Sequence, residues 1–293
     1  MTVTLDLVLL QIFTGVALGS VFVLLAVGLS LIFGLLTVVN FAHGAFYMVG
    51  AYVGVFLLGH GVNFWTALVL VPLLVGTLGL GVERFLIRPL YGRGIDYPLL
   101  LTFGLAYVLV EMVRIAFGRD GLPFDTPAAL QGAVDLGFGF FPLYRIFLIG
   151  ATSALILGLW LFIEKTPYGL IIRAGARDPE IVRILGIDIA KVWLVVFGLG
   201  TGVTGLAGVL SAPMRGVFPE MGTTVLVEAF VVTVVGGMGS LVGAVVAGIT
   251  VGVVVSLAAL FVPQLAEISM FVLMAVILLL RPQGLFGRAG LLG

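Results

Sequence analysis

The chain has 293 residues, of which 61% are hydrophobic and only 10% charged, with a mean hydropathy of +1.31 and a formal net charge of zero. Such a composition belongs to an integral membrane protein rather than a soluble domain with a large core, and the neutral sum offers no field for nucleic acid. With no cysteine and two histidines, the chain lacks the means for disulfides, thiolate metal sites, cysteine nucleophiles or a histidine metal cluster.

The first residues, MTVTLDLVLLQIF, lack a positive n-region and carry Asp6, which predicts an uncleaved membrane segment rather than a signal peptide. Apolar runs follow at about residues 8–37, 44–60, 63–86, 98–118, 143–163, 192–212, 222–260 and 265–281. They are of a length to cross about 30 Å of hydrocarbon, and their near-continuity argues against a β-barrel, whose strands would alternate apolar and polar residues. The run 222–260 is too long for one helix and predicts two. The expected fold is therefore an all-α polytopic membrane protein of about eight or nine transmembrane segments, some of them short or broken.

Charge distribution gives the orientation. Arg84, Arg88 and Arg93 cluster in one loop, Lys165, Arg173, Arg177, Arg183 and Lys191 in the stretch 164–191, and Arg281 and Arg288 in the tail, so ten of the fourteen positive residues occupy three segments. Placing all three inside the cell puts the N-terminus outside and the C-terminus in the cytoplasm. Residues 119–142, with Asp120, Asp125 and Asp135 against Arg119, then form an outer loop too short to hide a folded domain. Glu83 and Arg84 fall at a cytoplasmic segment end, where charge costs little, and Arg88 precedes Pro89 in a loop; all three are expected to serve topology and partner contact.

Two interruptions stand out. NFAHG at 40–44 separates two apolar runs, and GGMGS at 236–240 splits the run 222–260. Breaking a membrane helix frees backbone donors and acceptors, which protein or a hydrated cavity must satisfy, so each break is a candidate point on a pathway. Asn40, His43 and Gly44 are candidates at the first break, although it also reads as a tight turn in which His43 caps or braces. Gly237, Gly239 and Ser240 are candidates at the second, where Ser240 could cap the next helix. The spacings Gly239–Gly243 and Gly248–Gly252 equally fit close helix packing. Glu228, in TTVLVEAFVVTVV with no basic residue within four positions, is a candidate pathway or gating residue, or else a partner for another helix. Glu111 and Arg114 are expected to pair on one helix face.

The stretch 164–191 contains a short, tightly punctuated helix. Asp178 suits the N-cap, Pro179 the first helical position, Glu180 the positive dipole end, and Gly186 the left-handed stop. Ile181, Ile184 and Leu185 follow i, i+3, i+4 spacing, so about two turns present one small apolar face. A helix of this size fits a groove on another protein or lies on lipid headgroups. Catalysis finds no support: HExxH and GxSxG are absent, and neither Lys165 nor Lys191, the only lysines, sits in a GxxxxGK[ST] phosphate loop. If ATP powers the protein, the nucleotide site is on another chain.

Across nearly its full length the chain resembles the membrane-spanning permease subunits of branched-chain amino acid ABC importers, the LivH type. The resemblance is carried, in the family's order, by GVALGSVFVLLAVGLSLIFGLLTVVNFAHGAFYMVGAY, ERFLIRPLYG, YGLIIRAGARDPEIVRILGID, VVGGMGSLVGAVVAG and RPQGLFGR. It implies that residues 1–293 form a single permease domain in a bacterial-type inner membrane. It further implies pairing with a second permease subunit, a paralogue or another copy, docking of two cytoplasmic ATPases that hold ATP-Mg, and delivery of solute by an extracytoplasmic binding protein. No cofactor is expected in this chain. The resemblance makes Asp178 to Gly186 the coupling helix, with Arg173, Asp178, Pro179, Ile181, Ile184, Leu185 and Gly186 as coupling residues, but does not choose among amino acids, amides and organic acids. The alternatives are an ion-coupled secondary transporter or channel, which would need no docking partner, and a membrane-embedded enzyme, which would need His43 with Glu111 or Glu228 as an acid-base pair.

Overall fold

A computed structural model of the chain describes residues 4–36, 40–94 and 96–287, so Arg288 of the expected tail cluster lies outside the described residues. The order is α1 (Leu5–Leu36), α2 (His43–Gly59), α3 (Phe64–Val82), α4 (Asp96–Phe117), a two-stranded hairpin β1 (Ala133–Asp135) and β2 (Phe140–Pro142), then α5 (Leu143–Lys165) and α6 (Pro167–Arg177). It continues with α7 (Pro179–Ile184), α8 (Ile189–Arg215), α9 (Met221–Gly236), α10 (Leu241–Phe261) and α11 (Ala266–Leu280). Among the described residues seven helices are long and apolar enough to cross a membrane, and α2 and α9 are shorter apolar helices. The all-α expectation and the split of 222–260 both hold. Besides the hairpin, a helix in the basic stretch was not anticipated: the stretch contains two, because Thr166 caps α6 by accepting from the Gly169 N–H at 3.1 Å and Pro167 occupies its first turn.

The chain divides into two compact units, Met1–Ala26 with Asp125–Ile156 and Glu228–Gly293, and Val27–Phe124 with Leu157–Val227. In the first, small residues let α1 and α10 touch: a Cβ on Gly15 would lie 2.6 Å from the Val253 Cα, and one on Gly19 would lie 2.8 Å from the Gly248 carbonyl oxygen. Two reciprocal bonds fasten the same pair, Gln11 Nε2 donating to the Ser256 carbonyl and Ser256 Oγ to the Gln11 carbonyl, each at 2.7 Å. The Arg145 guanidinium donates to Thr14 Oγ1 at 3.1 Å and lies over the Phe141 ring.

In the second unit α8 is the central helix, buried over most of the stretch from Val196 to Ala212. Glycines thin its surface where α2 and α3 cross it. A Cβ on Gly205 would meet Val75 of α3 at 2.7 Å, and one on Gly50 would meet the Gly205 backbone. Dispersion across such close approaches, rather than hydrophobic transfer, holds helices together where the surroundings are themselves apolar.

Candidate functional site

The basic stretch folds as its punctuation predicts. Asp178 Oδ1 accepts from the Ile181 N–H at 3.0 Å, capping α7 behind Pro179, and the charge sits at the positive end of the helix. At the other end Gly186 takes φ +83°, its N–H reaching the Arg183 carbonyl at 3.0 Å while the Ile187 N–H returns to the Val182 carbonyl at 3.2 Å. Those two bonds are a Schellman closure, which a side chain at Gly186 would strain. Val182 is only 2% exposed, whereas Ile181, Ile184 and Leu185 are 55%, 84% and 72% exposed. One side of α7 therefore anchors it and the other offers three apolar side chains. Arg173 lies on α6 and pairs with Glu164.

At the first break Asn40 and His43 are buried, only 1% and 0% exposed. The Asn40 side-chain oxygen accepts from the Ala42 N–H at 3.1 Å, and its Nδ2 is buried without a hydrogen-bond partner among the described residues. The His43 ring lies 3.1 Å from Thr204 Oγ1, whose hydroxyl donates to the Gly200 carbonyl at 2.8 Å. This geometry is the bracing arrangement considered for His43. Gly44 meets Gly222 at the start of α9, backbone against backbone.

At the second break Gly237 and Gly239 take φ +97° and +80°, and Ser240 caps α10 by accepting from the Gly243 N–H at 3.0 Å. The freed carbonyls of Val235 and Gly236 accept from Leu285 and Phe286 at 2.8 and 3.0 Å. The tail RPQGLFG thus supplies, from protein, the donors this interruption needs. Glu228 is half-buried on α9. Asn40, His43 and Gly44 belong to one compact unit; Glu228, Gly237, Gly239 and Ser240 belong to the other.

Among the ionisable groups, Glu111 and Arg114 pair as expected, and Arg114 also reaches Glu220 in the α8–α9 loop, a partner invisible in the sequence. That pairing holds the Glu220 carboxyl below its ordinary range. Glu83 corrects an expectation: its side chain is fully buried rather than an inexpensive charge at a segment end. After Val82 the chain continues as a π-helical turn, Glu83–Ile87, whose five-residue spacing returns Arg88 onto Glu83. Arg88 Nε and Nη2 contact the two carboxylate oxygens at 3.2 and 2.9 Å, and the Tyr91 hydroxyl donates to Oε1 at 2.9 Å. Burial and the adjacent carboxylate push the Tyr91 hydroxyl well above the usual tyrosine range.

Apolar helices joined through glycine, two interrupted spans and a capped, outward-facing helix in a basic loop define a multi-pass membrane transport subunit. The chain belongs to the family described as branched-chain amino acid transport system, permease component, whose model matches residues 11–280. It is 30% identical over 294 residues to the high-affinity branched-chain amino acid transport system permease protein BraD of Pseudomonas aeruginosa, covering 95% of both chains. LivH of Escherichia coli is 29% identical with the same coverage, and LivM of that organism 29% identical over 92% of this chain and 68% of its own. A chain of PsaBC from Streptococcus pneumoniae, solved in complex with Fab, shares the fold at TM-score 0.50 and 12% identity, over 91% of this chain and 89% of that one.

Proposed function

We propose that this permease carries branched-chain amino acids, or a related small polar or organic-acid solute, inward across a bacterial-type inner membrane. Residues 1–293 act as one permease domain, paired with a second permease subunit, paralogous or identical. Two cytoplasmic ATPases hold the ATP-Mg that drives transport, and an extracytoplasmic binding protein delivers the solute. The N-terminus lies outside and the C-terminus inside, which puts the basic loop in the cytoplasm.

The observation that carries this reading is α7, anchored through Val182 while Ile181, Ile184 and Leu185 face outward. Such a helix suits a groove on a motor protein, and ATP-driven closure of the motors would tilt the helices attached to it. The relatives named for branched-chain amino acid transport support the substrate class.

Replacing Ile184 and Leu185 together by Asp tests it. The variant is expected to lose ATPase co-purification and uptake while the permease still accumulates in the membrane; full retention of both would overturn the coupling role. For the pathway, single cysteines at Asn40, His43, Glu228 and Ser240 in this cysteine-free chain are to be probed with small polar thiol reagents. Reactivity that changes with ATP is expected at one or more, and uniform protection in every transport state would exclude both breaks from the route.

A further inference from the structure

We infer that Glu83, Arg88 and Tyr91 form the joint through which movement of α7 is passed to α3. The inference rests on reading α7 as the helix that docks the ATPases. It starts from a charge that has to be held: the Glu83 carboxylate is 0% exposed, and a buried carboxylate persists only with its partners in place. Arg88 and Tyr91 are those partners.

The staple does more than neutralise. Arg88 Nη2 also donates to the Ala190 carbonyl at 3.0 Å, and the Tyr91 ring packs edge-on against Trp193 with centroids 4.7 Å apart. Both contacts fall in the first turns of α8. From there back to α7 the chain is short and tied. Asp188 caps α8 by accepting from the Ala190 N–H at 3.1 Å, and the Ile187 N–H closes the end of α7 on Val182. A push on α7 thus reaches Ala190 through a short linker tied at both ends, by the Ile187 N–H on Val182 and by the Asp188 cap on Ala190, and Arg88 passes it to the buried carboxylate at the end of α3.

The opposite flank of the same turn is less tightly filled. Ile187, Lys191, Val192 and Val195 border a cavity of about 360 Å³ with Phe162 and Ile172. The start of α8 is therefore bonded towards α3 and borders unfilled space on its other flank, the asymmetry a transmitting joint requires. Further along, Gly79 sits against Thr201 and Gly76 against the Gly198 carbonyl, so α3 and α8 are already close-packed beyond the joint. The staple makes their cytoplasmic ends follow one another as well.

The test uses the assembled transporter in proteoliposomes. Arg88→Lys keeps one positive charge near Glu83 but loses the fork that spans the carboxylate and Ala190; Tyr91→Phe removes one hydroxyl and keeps the ring on Trp193. Both are expected to retain the ATPases and basal ATP hydrolysis while solute uptake per ATP falls about tenfold for Arg88→Lys and less for Tyr91→Phe. A readout that mere loss of stability would not move is the distance between spin labels at Arg93→Cys and Lys191→Cys. Expected is a narrow distribution, unchanged by vanadate trapping with ATP in the otherwise unsubstituted chain, and a shift on trapping once Arg88→Lys is added. Unchanged uptake per ATP in both variants, or a distance equally invariant in the Arg88→Lys chain, would overturn the proposal. Should Arg88→Lys fail to accumulate, Tyr91→Phe decides, with unchanged uptake per ATP counting against the joint. Failure of ATPases to co-purify with the unsubstituted chain would instead remove the coupling reading beneath it.

Discussion

Gly44 and Gly222 lie with their backbones in contact, and a Cβ on either would overlap the other's carbonyl group. This approach joins the start of α2 to the start of α9, which no larger residue allows. Gly44→Ala and Gly222→Ala are expected to lower the thermal transition of the detergent-solubilised protein, each by overpacking of about 1–3 kcal/mol. Gly59→Ala is the control, because a Cβ at Gly59 meets nothing within 4 Å. Equal transitions for all three variants would show that α2 and α9 do not meet here.

The cap of α7 makes a second, local expectation. Asp178→Ala removes the acceptor for the Ile181 N–H and the favourable charge at the positive helix end, together worth about 1 kcal/mol. α7 is short, so it should fray, and the Ile181 amide should exchange about fivefold faster in hydrogen-exchange mass spectrometry. Asp178→Asn keeps an acceptor and should restore most of the protection. Uptake should fall with the alanine variant while the global unfolding transition stays where it was, since Val182 is the one buried side chain of α7.

What the sequence revealed and what it hid divide by the reach of the interaction. Asp178, Pro179 and Gly186 act within one helix, so the element they delimit could be read from spacing. The same is true of Glu111 with Arg114, and of GGMGS splitting α9 from α10. Glu83 was misread because its neutralisation depends on a π-helical turn bringing Arg88 back across five residues, and Arg88 is itself held by the Ala190 carbonyl, which is distant in sequence. Tail residues 281–287 read as a topology marker and as one stretch of the family resemblance, neither of which shows that two of their N–H groups complete the end of α9. α6 was missed because its glycines and arginines obscure a helix that Thr166 and Pro167 initiate.

Gln11 and Ser256 exchange hydrogen bonds between α1 and α10 in both directions, so their contributions should not add. Either alanine substitution removes one side-chain bond directly and leaves a main-chain carbonyl with one acceptor site unused, at a cost of about 0.6 to 1.7 kcal/mol in an apolar medium. Once one side chain is gone, the helices are free to adjust, and the second loss should cost less. A double-mutant cycle on the unfolding free energy is expected to show coupling of about 0.5 kcal/mol or more. Strict additivity would mean the two bonds act independently.

Arg114 bridges Glu111 on its own helix and Glu220 in the α8–α9 loop, and the Leu122 N–H donates to the Val217 carbonyl in that loop at 2.7 Å. The ion pairs are substantially exposed, so salt should screen them, whereas the backbone bond should be indifferent to salt. Glu220→Gln is therefore expected to accelerate exchange of the Leu122 amide without moving the global unfolding transition, and high salt should reproduce the effect in the unsubstituted protein but add little in the variant. The pH dependence has a fixed sign. A carboxyl held below its ordinary value contributes above that value and stops contributing as pH falls through its lowered folded one, so protection at Leu122 should be flat near neutrality and decline only in acid. An amide rate that ignores Glu220→Gln, salt and acid alike would mean that Arg114 does not secure this loop.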